Sequence, residues 1–278
     1  MNGWWLKIQR AEKHMVDINQ EAMRYAEGNP YTFQRIRALD SDDEIRGRFR
    51  ITKQPDPMIA IMLGDFIHDL RSALDWVVVA CSPRKHRYKA GFPILLKDIF
   101  AKNANGDFVF GDTERKSVEA CLRGLCPEAR AYVMRLQPYN LGTSTPRAIL
   151  GLISRLENAD KHRELITVGC GGQDFIGSIS YLDFLGRFEV GGDPLTTEGT
   201  AIKDNTVIGY TLDPKVLSLV HPSEMNMHLT GTVKVFVEVA RPDADQPPDV
   251  YLIDTLMDSA LSSVKRIVKR LEPFVRSD

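Results

Sequence analysis

Hydrophobic positions recur at helical spacing through most of the first 163 residues. Apolar side chains return every three or four positions with charged residues between them, and Gly and Pro punctuate the ends of each run. One run is apolar on nearly all sides, which predicts a largely buried helix at its place in the chain. The patterns predict helices at residues 4–27, at 58–80, at 114–136 with a break near 124–127, and from Pro146 to residue 163.

The hydrophobic period changes from helical to two after residue 163. Five alternating segments separated by Gly- or Pro-containing turns occupy residues 164–241, and the last alternates strictly through Val233, Val235, Val237 and Val239. Short connections between them favour antiparallel pairing. Two shorter alternating runs, at 33–39 and 49–52, predict two further strands. A last amphipathic helix is predicted at about 250–271.

The order of these elements predicts an α+β fold. The helices form a bundle of four to five members, and an antiparallel β-sheet is inserted before the last helix. The predicted division of the chain is a helical bundle at residues 1–163, a sheet at 164–245, and a C-terminal helix at 246–278 that packs back on the bundle.

Composition narrows the class of protein. The 278 residues contain 36 Lys and Arg against 37 Asp and Glu, so net charge does not attract nucleic acid or an anionic membrane. Binding of a polyanion therefore requires a local patch, for which the basic segment 84–89 is a candidate. The chain has no signal-peptide pattern, no apolar run long enough to span a bilayer and no CxxC pair. We expect a cytoplasmic protein with reduced cysteines and no membrane partner.

A polar stripe on the predicted helix at 58–80 is the first candidate site. Its six polar residues fall within an arc of roughly 160° at about 100° per residue. Solvated helix faces usually carry Lys and Glu, whereas this stripe carries the residue types that build sites. Its members are Asp65, His68, Asp69, Arg71, Ser72 and Asp75.

A second polar face lies on the predicted helix that starts at Pro146. Arg155, Asn158 and His162 align with the small residues Ala148 and Gly151, which would let a neighbouring helix approach closely. The helix at 58–80 is the natural neighbour. The sequence thus predicts a site at the contact of these two helices.

Metal-independent acid/base chemistry on a phosphodiester fits the residues of this contact. A His of near-neutral pKa moves a proton, and an Arg holds the phosphate. The predicted general acid/base is His162 or His68, and the predicted phosphate clamps are Arg71, Arg155 or Arg163. Substrate-binding or orienting roles are predicted for Asp65, Asp75, Asn158, Asp160 and Lys161, with Asp75 placed to orient Arg71 four residues before it.

Two alternatives use the same residues. In the first, they form a buried ion-pair network that joins the helices of a non-catalytic binding or assembly module. In the second, Asp65, His68 and His162 are ligands of a metal-dependent hydrolase, with Asp69, Asp75, Glu157 and Asp160 as further oxygen donors. No established metal-ligand spacing occurs, and no cofactor is predicted.

Three segments, GDFIHDLRSALDWVV, RLQPY and LENADKHREL, resemble a bacterial and phage family with a GD-x-x-H-N-L-R-S-A-L-D-H helix and an N-x-D-K-H-R segment. That helix in turn is similar to the R-x4-6-H signature of HEPN domains. The resemblance implies a helical bundle that often forms a homodimer and in many cases cuts RNA without metal, in toxin and phage-defence systems.

Carried over by position, the HEPN arginine would be Arg71, whereas Trp76 stands at the histidine position; Arg155 and His162 also fit the loose pattern. The expected partner is RNA or a nucleotide.

Overall fold

The computed structural model describes residues 2–36, 44–140, 145–161, 167–183, 186–194, 204, 207–211, 225–239 and 248–276. They form an α+β fold with a helical bundle and antiparallel sheets, as predicted. The helices are α1 (Gly3–Glu27), α2 (Met58–Cys81), α3 (Asp112–Leu122), α4 (Pro127–Arg135), α5 (Thr145–Lys161) and α6 (Ile253–Leu271), with 3-10 turns at Arg84–Lys89 and Glu272–Phe274. The strands are β1 (Tyr31–Ile36), β2 (Glu44–Ile51), β3 (Thr167–Asp183), β4 (Gly186–Pro194), β5 (Val207–Thr211), β6 (Met225–Val239) and β7 (Asp249–Leu252).

The chain divides into two compact units. The helical unit comprises Met1–Asn19, Met58–Thr167 and Glu238–Asp278, and the strand unit comprises Gln20–Pro57 and Val168–Val237. The division predicted from the sequence, at residues 1–163, 164–245 and 246–278, stays a prediction. No helix in the described part of the chain is both long enough and apolar enough to cross a membrane.

Helix α2 is the centre of the helical unit. It packs against both α5 and α6, and most of its apolar side chains are fully buried, as its all-round hydrophobic pattern predicts. Each buried Leu or Phe of this helix contributes roughly 1.5–3 kcal/mol to folding. Its largest buried side chains are Ile59, Leu63, Phe66, Ile67, Leu70 and Leu74.

Helix α1 docks on the helical unit through one apolar face and its first turn. Trp4, Ile8, Ala11 and Ile18 are buried at helical spacing. The indole nitrogens of Trp4 and Trp5 donate to Glu272 Oε1 over 3.4 and 2.5 Å. The beginning of α1 is therefore anchored to the turn that follows α6.

The predicted interruption near residues 124–127 is confirmed. Helix α3 ends at Leu122, and α4 begins with Pro127 at its first position, where the missing N–H of proline costs no hydrogen bond. Gln137, just after α4, is fully buried. Its amide group donates to Val133 O over 2.9 Å and accepts from Leu95 N over 2.8 Å. It therefore holds the segment that follows the turn Arg84–Lys89, which we call the basic turn, against α4.

Strands β1, β2 and β5 form an antiparallel sheet in that order. The first two strands correspond to the two strands predicted at 33–39 and 49–52. Both begin earlier than predicted, and β2, with eight residues, is longer than its predicted run. Strand β5 pairs with β2 rather than with its neighbours in sequence. This pairing provides hydrogen-bond partners for the backbone N–H and C=O groups along the edge of β2, which would lack them in a two-stranded hairpin.

The second sheet has the order β4-β3-β6-β7. Strand β3 is one element of 17 residues where the sequence pattern predicts two strands, and its pairing with β4 shifts register between Ile176 and Ser178. Val233, Val235, Val237 and Val239 of β6 are buried, as their alternation predicts. Because β7 occupies residues 249–252, the last helix begins at Ile253, slightly later than predicted.

Candidate functional site

The polar stripe of α2 does not face one environment. Asp65 and His68 are exposed, Asp69 is buried, and Arg71, Ser72 and Asp75 are half-buried. His68 Nε2 lies 3.4 Å from Ser72 Oγ. The stripe therefore contributes to two separate ion-pair clusters and to one exposed histidine–serine pair.

The first cluster centres on Arg71. Its Nη1 lies 3.1 Å from Asp75 Oδ1, and its Nε lies 3.4 Å from Glu157 Oε2 on α5. Asp75 Oδ1 also accepts a hydrogen bond of 2.8 Å from Phe92 N. The side chains of Arg71 and Glu157 are 19% and 10% exposed, so both charges are largely removed from water. The cluster joins α2, α5 and the chain that follows the basic turn.

Asp75 contacts Arg71 four residues before it, and the prediction that Asp75 orients Arg71 for phosphate binding stays a prediction. Helix α2 also packs against α5, as the sequence analysis expects. The residue of α5 that reaches Arg71 is Glu157, which the sequence analysis assigns to a metal-ligand set. The observed partner of the glutamate is a guanidinium.

Arg155 and Asn158 have other surroundings. Arg155 Nη1 lies 3.0 Å from Asp249 Oδ2 of β7, both groups belonging to the helical unit, and Asn158 is exposed. Arg155 is therefore held by a carboxylate other than those of α2. Successive residues of a helix point in directions about 100° apart. Position 157 therefore faces α2, whereas the sequence pattern predicts that positions 155 and 158 face it.

The small residues of α5 do not line its contact with α2. Ala148 is exposed, and a Cβ atom added at Gly151 would lie 3.6 Å from Pro138 and 3.7 Å from Leu96. Gly151 thus faces the segments before α3 and after α4, where a Cβ atom would make ordinary van der Waals contact. This corrects the expectation that Ala148 and Gly151 admit the central helix.

His162 and Arg163 lie outside the described residues, as do the side chains of Asp160 and Lys161. The predicted site that pairs His162 with His68 stays a prediction. Within the part of the chain that the structure describes, no group of three or more His, Cys, Asp or Glu side chains could hold a metal ion. The alternative metal centre that includes His162 is left untested.

The second ion-pair cluster surrounds Asp69 on the side of α2 that faces α1. Lys7 Nζ lies 2.9 Å from Oδ1, while Arg10 Nε and His14 Nε2 lie 3.3 and 3.6 Å from Oδ2. The Asp69 side chain is 3% exposed. Lys7, Arg10 and His14 recur at intervals of three and four residues, so their common helix face is visible in the sequence. From the sequence, Asp69 is expected to belong to the polar stripe and to the alternative metal-ligand set, and this cluster is not predicted.

A cavity of about 450 Å³ lies beside α3, and we call it the lysine cavity. Two ammonium groups and two hydroxyl groups line it, which is a donor set suited to an anion. The pair between Lys116 and Asp112, 3.6 Å apart and exposed, is of a kind that contributes at most about 1 kcal/mol and can yield to a ligand. Its lining residues are Lys89, Thr113, Lys116, Ser117, Ala120 and Cys121.

The lysine cavity lies within electrostatic reach of the Arg71 cluster. Burial raises the pKa of the Cys121 thiol, the negative charge of Asp75 raises that pKa further, and Arg71 lowers it. A thiol whose pKa is raised stays protonated and neutral at pH 7. The charge of the cavity is therefore set by Lys89 and Lys116.

The basic turn Arg84–Lys89 adds positive charge next to the lysine cavity. Arg84, Lys85 and Lys89 are exposed, while Arg87 Nε donates to Ser82 O over 3.0 Å and holds the turn against the end of α2. The sequence indicates this basic segment as a candidate for polyanion binding, but it gives no such indication for Lys116 or Ser117. Those residues belong to an exposed part of α3, and the cavity that they line is created by folding.

The chain was compared with protein-family models, with curated proteins and with solved structures, and no match was found. The resemblance to HEPN domains consequently stays a prediction.

Proposed function

We propose that the protein binds RNA or a nucleotide through phosphate groups at the lysine cavity, as a HEPN-like binding module. The observation that carries the proposal is the donor set of that cavity: Lys89, Lys116, Thr113 and Ser117. Ammonium and hydroxyl groups bind phosphate oxygens, and exposed cations of the basic turn would extend the attraction along a strand. The near-neutral net charge of the chain leaves such a patch as the source of affinity.

Binding without cleavage is favoured by the surroundings of Arg71. To hold a phosphate, its guanidinium would have to leave two carboxylates, at 3.1 and 3.4 Å. Trp76, which stands at the histidine position of the HEPN signature, is 49% exposed and has no group that moves a proton. In this proposal Arg71, Asp75 and Glu157 support the fold, and the lysine cavity binds the ligand.

Replacing both Lys89 and Lys116 by alanine is expected to weaken binding of a single-stranded RNA by about tenfold or more at moderate salt. Each lost ammonium–phosphate contact makes the negative slope of log affinity against log salt shallower by about 0.7. Fluorescence anisotropy of a labelled oligonucleotide at several salt concentrations measures both quantities. ATP used as a competitor separates binding of a free nucleotide from binding that requires a strand.

The matched control removes two exposed lysines elsewhere, Lys13 and Lys53. It should leave affinity and salt slope close to those of the unmodified protein. An equal salt slope for the Lys89→Ala/Lys116→Ala variant and the unmodified protein would count against the lysine cavity as the phosphate site.

A ribonuclease is the second candidate function, and the exposed pair of His68 and Ser72 favours it. An imidazole in contact with solvent can move a proton of a bound strand. We expect RNA incubated with the protein and EDTA to be recovered intact. Cleavage that His68→Ala abolishes would replace binding by catalysis as the function.

A further inference from the structure

A second cavity, of about 640 Å³, borders the lysine cavity. We call it the apolar cavity. The two cavities share Thr113 and Ser117 of α3 as lining residues, so they adjoin each other. The volume lies within the range of roughly 300–1,000 Å³ that is usual for small-molecule sites.

One wall of the apolar cavity is fixed in place before any ligand arrives. Leu95 belongs to this wall, and its backbone N–H donates over 2.8 Å to the amide of the fully buried Gln137. Another part of the lining is a face of α3, where Glu114 and Val118 lie four positions apart. A site whose walls are already ordered loses less entropy when it binds.

The lining of the apolar cavity combines an apolar surface with two opposite charges. The apolar surface suits a planar heterocycle, and the charged groups are the Glu114 carboxylate and the Lys97 ammonium. Its apolar members are Ile94, Leu95, Leu96, Ile99, Phe110 and Val118.

Among the nucleobases, guanine matches this pair of charges. A carboxylate accepts two parallel N–H groups, and an ammonium donates to a carbonyl oxygen. The Watson–Crick edge of guanine presents two adjacent N–H donors beside one carbonyl. Adenine and cytosine each present an amino group beside a ring-nitrogen acceptor, which would face a carboxylate oxygen unfavourably, and uracil presents a single N–H between two carbonyls.

We propose that the apolar cavity binds the base of a guanine nucleotide through Glu114 and Lys97, while the phosphate of the same nucleotide lies in the lysine cavity. The proposal rests on the phosphate-binding function proposed above and adds the identity of the base.

Isothermal titration calorimetry of the full chain with GMP, AMP, UMP and inorganic phosphate tests this assignment. GMP should bind about tenfold more tightly than AMP or UMP, which corresponds to the one additional hydrogen bond that its edge makes to a charged group. Glu114→Gln should bring GMP to the affinity of AMP and leave the affinity for inorganic phosphate unchanged. The matched control, Glu119→Gln, changes an exposed glutamate of the same helix that lines neither cavity, and it should retain the preference.

The outcomes separate the two proposals. Equal affinity for the three nucleotides overturns the guanine assignment and leaves the phosphate-binding function standing. Absence of binding by the nucleotides, by phosphate and by RNA overturns both. If the Lys89→Ala/Lys116→Ala variant keeps the unmodified affinity for GMP, the placement of the phosphate in the lysine cavity is wrong. Thermal unfolding of each variant verifies that the fold is retained.

Discussion

Arg71→Met is expected to lower the free energy of unfolding by about 4 kcal/mol. The substitution keeps most of the side-chain volume and removes the guanidinium, which leaves the Glu157 carboxylate, 10% exposed, without its 3.4 Å contact to a cation. Removing one partner of a largely buried ion pair typically costs about 3–5 kcal/mol, because the remaining charge stays out of water. Urea denaturation followed by far-ultraviolet circular dichroism measures the change.

The control for Arg71→Met is Arg130→Met, the same chemical change at an exposed position of α4. It should alter stability by less than about 0.5 kcal/mol. Adding Glu157→Gln to Arg71→Met should recover part of the loss, since it neutralises the carboxylate that has lost its contact with Arg71. A loss below about 1 kcal/mol for Arg71→Met would mean that the cluster does not hold the helices together.

The same variant also decides the role of Arg71. If Arg71 supports the fold, the stability of the variant falls, and the folded fraction of the protein still binds RNA through Lys89 and Lys116. If Arg71 is a phosphate clamp, stability is nearly unchanged and affinity for RNA falls instead. The two results cannot be confused, because stability and affinity are measured on the same preparation.

Asp69→Ala is expected to lower the free energy of unfolding by about 3 kcal/mol. The substitution removes a carboxylate that contacts three cationic or titratable side chains and leaves a small void beside α1. The expected loss lies at the lower end of the usual range because Lys7 and Arg10, with side chains 23% and 62% exposed, can turn toward water. Thermal and urea denaturation measure the effect.

Asp65→Ala is the matched control for Asp69→Ala, because Asp65 is an exposed aspartate one turn earlier on the same helix. Its effect should stay within about 0.5 kcal/mol. A double-mutant cycle with Lys7→Met isolates the contribution of the 2.9 Å pair. Additive losses in that cycle would show that Lys7 and Asp69 do not stabilise each other.

Local patterns in the sequence predict many of the helices and strands of this fold. The apolar positions of α6 at spacings of three and four residues, and the alternating valines of β6, both lie on buried faces as predicted. The break between α3 and α4 follows from Pro127, since proline starts a helix readily and continues one poorly. In each case the signal and the structure involve neighbouring residues.

Local sequence patterns could not predict which distant segments pair with each other. The register that places Glu44 of β2 opposite Thr211 of β5 depends on hydrogen bonds between segments far apart in sequence. On α5, polar residues occupy several adjacent faces near the end of the helix, so the pattern could not distinguish Glu157 from Asn158 as the residue that faces α2. The lysine cavity likewise combines Lys89 with α3 residues that carry no motif.

The three tryptophans of the chain, Trp4, Trp5 and Trp76, all belong to the helical unit. Trp4 and Trp5 contact Glu272, and the ring of Trp76 lies against Gly3 at the start of α1. Tryptophan fluorescence therefore reports the detachment of the first turn of α1 and carries no direct signal from the strand unit. Emission and circular dichroism recorded in one titration would reveal whether the two units melt together.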